Sequence, residues 1–290
     1  MKVCYDESLR IEGGQGGLRI LYPTATGSIE YTFLHSVQPE RNCDVWRMGV
    51  VNALDEKGAF LHRLTKDGAE WEMAVRLADR PDFIGGFIHG DEIGTEPLII
   101  LDGQPAALCD LTGWREFSCM KIRAESRGFD PAEPARAVLT HRKQLVYDAE
   151  GVHLEQEVSW LENVTLDSKF KSFLAMMPPV KHDPENPANR ITDSFAMGAD
   201  AVRGIAALPV AGKNVQNFTV EGRESGYRFM MSVEDYAPRY PNSYLASLSD
   251  NSNQNYHKMY IAFAGGEADE ICAGTKWHAV THYQITKAFF

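Results

Sequence analysis

Apolar and polar residues alternate along this chain from its first segments. LRILY, SIEYTFLHSV and DVWRMGVVNAL are rich in β-branched and aromatic residues and are separated by Gly, Pro, Asn and Asp, the texture of strands and turns. EWEMAVRLA places Trp71, Met73, Val75 and Leu77 on one side and Glu70, Glu72, Ala74 and Arg76 on the other, which predicts a strand with one wet face. GVHLEQEVSW divides in the same way, with Val152, Leu154, Gln156, Val158 and Trp160 opposite His153, Glu155, Glu157 and Ser159. Residues 117–124 and 135–147 read as strands, the second long enough to bend. The stretch 168–177 is the best helix candidate and equally admits a strand.

About fifteen short strands, with turn signals about every 8 to 15 residues and almost no helical period, predict an all-β protein: a large antiparallel β-sandwich or jelly roll with little helix. The polar run KHDPENPANRITD is the one clear shift in composition. Segments on both sides share one character, so the expectation is a single β-sandwich domain over residues 1–290 with a polar loop inserted near 181–190.

The chain has 290 residues, 44% hydrophobic and 24% charged, enough to bury a sizeable core. Its formal net charge of -11 argues against nucleic acid or an anionic membrane as a partner, because a phosphate surface needs a basic one. An acidic polysaccharide or oligosaccharide stays possible if basic side chains gather in one cleft. Cys4, Cys43, Cys109, Cys119 and Cys272 are scattered, with no C-x-x-C pair, and read as reduced structural thiols. MKVCYDESLRIEGG has no apolar h-region, so no signal peptide is expected in this form. No run approaches the roughly 20 apolar residues of a spanning helix. Cytoplasmic, phage-borne and signal-trimmed secreted origins all stay open.

The densest chemistry lies in residues 83–103, FIGGFIHGDEIGTEPLIILDG. Gly85 and Gly86 permit positive φ or close approach by another group, and Asp102-Gly103 is a hairpin turn signal. On an extended segment His89 and Asp91 share a face and Glu92 points away; a turn at Gly90 brings the three together as a catalytic or ligand-binding loop. A tight turn with solvated acids is the alternative. His89-Gly90-Asp91-Glu92 also resembles the H-G-[ND]-E motif of the succinylglutamate desuccinylase and aspartoacylase family, and that resemblance implies zinc held by His89 and Glu92.

In a strand, His257, Met259, Ile261 and Phe263 share one face and Tyr256, Lys258 and Tyr260 the other, which would line a groove that stacks sugar rings and neutralises carboxylates. Arg123-Ala124-Glu125, Val152-His153 and Tyr256-His257-Lys258-Met259-Tyr260 occur in the order of three motif strands in jelly-roll polysaccharide lyases of the alginate-lyase type, and the chain resembles them there. The resemblance implies β-elimination on a uronic-acid glycan, with His153 or Tyr260 as base or acid and Arg123 and Lys258 near the uronate carboxylate. Such a reaction needs no cofactor and no metal.

Trp277, His278, His282 and Tyr283 form a second group. His278 and His282 lie about 13 Å apart along a strand, too far to chelate one metal. His35, Arg47 and His62 sit on early strands where a shared groove is within reach. No G-x-S-x-G elbow, phosphate loop or dinucleotide fingerprint is present. The sequence therefore predicts a carbohydrate-active enzyme, a polysaccharide lyase with His89, His153 and Tyr260 catalytic and Arg123, Tyr256, Lys258 and Glu92 binding substrate. The alternatives are a non-catalytic carbohydrate-binding or receptor-binding module and a zinc-dependent amidohydrolase.

Overall fold

Where apolar and polar residues alternate, the chain is extended. The first third gives β1 (Lys2–Asp6), β2 (Gly14–Thr24), β3 (Gly27–Gln38), β4 (Cys43–Leu54) and β5 (Phe60–Arg63), each antiparallel to the one before. A single helical turn, α1 (Gly86–His89), precedes β6 (Glu92–Gly94), β7 (Leu98–Leu101), β8 (Gln104–Ala106) and β9 (Arg115–Glu116). A central meander follows: β10 (Met120–Asp130), β11 (Glu133–Asp148) and β12 (Gly151–Trp160). Then come β13 (Val164–Thr165), β14 (Lys171–Lys181), β15 (Ser194–Met197), β16 (Arg203–Gly204), β17 (Val210–Gly212) and β18 (Asn217–Gly222). The last strands are β19 (Tyr227–Ala237), β20 (Ala246–Asn251), β21 (Tyr256–Gly265), β22 (Glu270–Ile271) and β23 (Lys276–Lys287).

This computed structural model describes residues 1–9, 14–65, 71, 73–181, 194–199, 203–204, 209–222, 226–251 and 256–287; of the polar loop expected near 181–190, only Lys181 lies within them. Among the described residues no helix is long and apolar enough to cross a membrane.

One large sheet runs from β1 through β2, β3 and β4, passes by β6 to β10, β11 and β12, and continues through β23 to β19, β18 and β15. Its pairings are antiparallel except for a short parallel contact of β4 with β6. A four-stranded sheet, β14-β21-β20-β17, covers its inner side. The two layers interlock through aromatic rings. Phe263 of β21 lies 4.8 Å from Trp277 of β23, and the hydroxyl of Tyr236 on β19 donates to the carbonyl of Ile261 at 3.0 Å. Trp277 meets Trp160 edge-on at 4.9 Å, and both are fully buried. Each such side chain removed from water contributes about 2–3 kcal/mol, which is why the alternating apolar positions decide the layering.

The all-β, antiparallel sandwich predicted from alternation is the observed architecture. β12 spans GVHLEQEVSW, with its five apolar-side residues buried as expected. Asp102 and Gly103, at φ 46 and 85, close the β7–β8 hairpin. Two expectations change. The helix candidate at 168–177 is extended, entering β14 at Lys171. The segment around Trp71 is not a regular strand: Ala74 is buried as well, and Ala74, Val75 and Leu77 make isolated bridges to Phe173, Ile84 and Leu166. It is packed on both sides, so its expected wet face does not exist at Ala74; Glu70 and Glu72 lie outside the described residues.

Candidate active site on the outer face of the central sheet

The glycines of the 83–92 stretch do what their lack of a side chain allows. Gly85 (φ 117) and Gly90 (φ 80) pass so close to neighbouring backbone that a Cβ would stand 2.4 Å from the Met73 carbonyl oxygen and 2.2 Å from that of Arg41. The tight turn they permit sends the two candidate ligands apart. His89 points to Asp82, Nδ1 to Oδ1 2.8 Å, with its ring 4.8 Å from Phe83. Glu92 turns into the core, where it is fully buried.

There Glu92 accepts hydrogen bonds from the Gly86 amide (2.8 Å) and the Ser126 hydroxyl (2.5 Å), and its Oε1 lies 3.0 Å from His141 Nδ1. The other nitrogen of His141 meets Gln156 Oε1 at 3.0 Å, and the Gln156 amide donates to the Leu174 carbonyl at 2.5 Å. Burial alone would push the Glu92 carboxyl up. The hydrogen bond and charge of His141, helped by Lys143 and Ser126, outweigh it and hold the group down at about 2. This closed network ties α1 and β6 to β11, β12 and β14. Glu92 and His89 therefore share no ligand position, and Glu92 has no surface from which to touch a substrate.

The outer face of β10, β11, β12, β23 and β19 is different: its polar side chains are in register across five strands. One row runs Arg123, Gln144, Glu155, Val280, Asp235. The next runs Glu125, Arg142, Glu157, His278. A third contains His153 directly opposite His282. Neighbouring strands stand about 4.8 Å apart, so groups in a row and on its diagonals touch. Arg123 donates to Gln144 Oε1 at 2.8 Å, Gln144 to Glu155 Oε2 at 3.4 Å, Arg142 to Glu125 at 3.2 Å, and Lys276 to Glu157 at 3.1 Å. The last contact holds the Glu157 carboxyl below its usual range.

A β-bulge sharpens this face. Between Val233 and Asp235 the β19–β23 register shifts, so Val233 and Tyr236 are buried while Glu234 and Asp235 both turn outward. Asp235 Oδ2 comes to 3.2 Å from His278 Nδ1, and Glu155 Oε1 to 3.3 Å from Nε2 on the other side. Carboxylates only accept, so a ring nitrogen that carries a proton donates to the carboxylate it faces, and His278 stands as a positioned proton donor flanked by two bases. Beside it, Arg123, Arg142, Gln144, Glu155 and Glu157 line a groove of about 480 Å³, with Leu98 on its rim. A larger hollow of about 690 Å³, between the β1 end and the 55–58 turn, is lined without any histidine.

Of the residues singled out in the sequence, this face gathers Arg123 and His153. It does not gather Tyr260 and Lys258. Met259, Ile261 and Phe263 turn toward the large sheet, which leaves Tyr260 on the far side of the second sheet, its ring 4.8 Å from Phe173 and 5.9 Å from Lys258 Nζ. Tyr256 lies at the start of β21 in the same second sheet. His35 stacks on Trp46 and meets Asp44 at 2.8 Å, whereas Arg47 is buried against Phe87 and Ser36. Sequence reasoning left out Gln144, Arg142, Glu157 and Asp235 as site residues. The available signal was the wet face of β12, His153-x-Glu155-x-Glu157, already separated by its period of two.

No protein-family model matches the chain, and no curated protein does. Similar solved structures include proteins described as mutarotase-like or as an epimerase. One is a galactose mutarotase-like protein of Clostridium acetobutylicum, 8% identical, with 98% of both chains covered and a TM-score of 0.48. Another is the galactose 1-epimerase of Lactobacillus acidophilus NCFM, 8% identical, with 99% of both chains covered and a TM-score of 0.44. The resemblance to alginate-lyase-type enzymes and the β-elimination built on it are thereby corrected. The structures matched are mutarotase-like rather than lyases. Geometry agrees, since His153 and Tyr260 stand on opposite outer faces of the sandwich, too far apart to serve one sugar ring.

Proposed function

We propose that this chain is a sugar isomerase of the aldose 1-epimerase type, interconverting the anomers of an aldose in the groove beside His278. The reaction needs a base to take the proton from the anomeric hydroxyl and an acid to protonate the ring oxygen. The ring then opens, the C1–C2 bond rotates, and the same two groups act in reverse on closure. No electron or group is transferred, so the proton pair is sufficient.

The observation that carries this reading is the imidazole of His278 held between Glu155 and Asp235 on an open polar face. His278 supplies the proton and Glu155, half-exposed at the groove, is the base. The neighbouring groups suit a neutral polyol. Arg142 with Glu125 and Lys276 with Glu157 are locally neutralised pairs, and these and the Arg123–Gln144 pair still offer spare donors and acceptors to sugar hydroxyls. The finer expectation of an acidic glycan has less support, because Arg123, Arg142 and Lys276 each already have a carboxylate or amide partner.

Polarimetry on freshly dissolved α-aldoses tests the reading. Decay to the equilibrium rotation should be faster than in buffer for at least one hexose or pentose, and slow to near the buffer rate in His278→Asn. Buffer rates across the whole panel would overturn it.

A further inference from the structure

The same outer face carries a second cluster, one row away, that the epimerase reading does not use. His153 and His282 are direct cross-strand partners, and their rings stack at 4.2 Å with 3° between planes. Glu234 of β19, on the same outer face, stands beside them. One ligand atom from each of the three lies within 4.8 Å of the other two, and among the described residues no other His, Cys, Asp and Glu trio comes as close. We propose that His153, His282 and Glu234 form a binding site for a borderline first-row divalent cation of the zinc class.

Four features argue for a cation rather than chance proximity. The ligands come from three adjacent strands of one sheet, β12, β23 and β19, so the frame is rigid. Two imidazoles and one carboxylate are the donor set that zinc, cobalt or nickel prefer, whereas magnesium and calcium take oxygen donors. His282 already has the supporting contact typical of a ligating histidine: Nε2 donates to the Glu150 carbonyl at 3.0 Å, which leaves the lone pair on Nδ1. Finally, Glu234 continues the outward alternation of β19 one step past Ser232, the residue paired with His282, so the strand itself carries the carboxylate to this side.

Tetrahedral ligands at zinc stand about 3.4 Å apart, given zinc–nitrogen bonds of about 2.1 Å. Side-chain rotation alone closes the difference, because Glu234 is exposed and both rings are half-exposed. Binding tilts the imidazoles out of their stack and leaves the fourth position to water. The inference is independent of the sugar reading, since its readout is the metal itself.

Metal-free full-length protein titrated with Zn²⁺ in a calorimeter, and with Co²⁺ followed by visible absorption, decides it. One equivalent should bind, and a chelator should remove it. His153→Asn, His282→Asn and Glu234→Gln should each weaken binding about tenfold or more, with unchanged circular dichroism. His35→Asn, at a histidine held by Asp44 and Trp46 elsewhere, should leave it unaltered. No saturable binding by the parent protein would overturn the site, as would undiminished binding in His153→Asn and His282→Asn.

Discussion

Glu92 and His141, 49 residues apart in the chain, meet inside the sandwich with Oε1 3.0 Å from Nδ1, and neither has measurable contact with solvent. A buried pair of this kind costs desolvation and returns it only while both partners stay bonded. The Glu92 carboxyl is held at about 2 in the folded protein against an ordinary value of 4.5. Its contribution to stability is therefore complete above about pH 4.5 and is lost as pH falls from there toward 2. Thermal unfolding followed from pH 7 to pH 2 should show Tm falling across that window. In Glu92→Gln the slope should flatten, and the protein at pH 7 should lose about 3 kcal/mol. An unchanged slope would mean that Glu92 is not paired as described.

Gly90 turns the chain from α1 into β6 with φ 80 and with no room for a side chain beside the Arg41 carbonyl. Gly90→Ala should destabilise by about 1–3 kcal/mol, read as a shift in the denaturant midpoint at constant slope. Gly103→Ala, at a turn with open space around the missing Cβ, should cost less.

Arg142 lies along the groove, paired with Glu125 on the exposed face. Arg142→Met keeps the apolar stem and removes the donors. On the proposed reading it should raise KM several-fold with little change in kcat, because it removes contacts made equally in ground and transition states.

The acid and base should behave oppositely to that. His278→Asn and Glu155→Gln should each lower kcat by about 10²- to 10⁴-fold at near-constant KM. Stability should change little, because both side chains are half-exposed and such surface pairs contribute at most about 1 kcal/mol.

Much of this fold was legible in the sequence, for a physical reason. Burial acts on alternate residues of a strand, so GVHLEQEVSW declared its own faces before any partner was known, and so did KWHAVTHYQITK. What alternation does not encode is register. His278 and His282 read as separated along one strand, and that remains true; the relation that matters runs across strands, from His282 to His153 and from His278 to Glu155 and Asp235. The bulge that exposes both Glu234 and Asp235 has no marker in VEDYA. Loops hid the rest. In HGDE the glycines were right, but the direction of each side chain depends on Arg41 and Met73, which are distant in sequence. The glutamate that looked like a ligand is the one with a histidine waiting for it in the core.

The proton pair at His278 is the centre of the account, and exchange between anomers tests it most directly. Magnetisation transfer between the α and β C1 protons of an aldose at equilibrium, measured with parent protein, His278→Asn and Glu155→Gln, reports interconversion without any coupled reaction. The account predicts protein-dependent exchange in the parent and loss of about 99% or more of it in both variants. Exchange no faster than in buffer for every aldose tried, or full exchange in both variants, would contradict it.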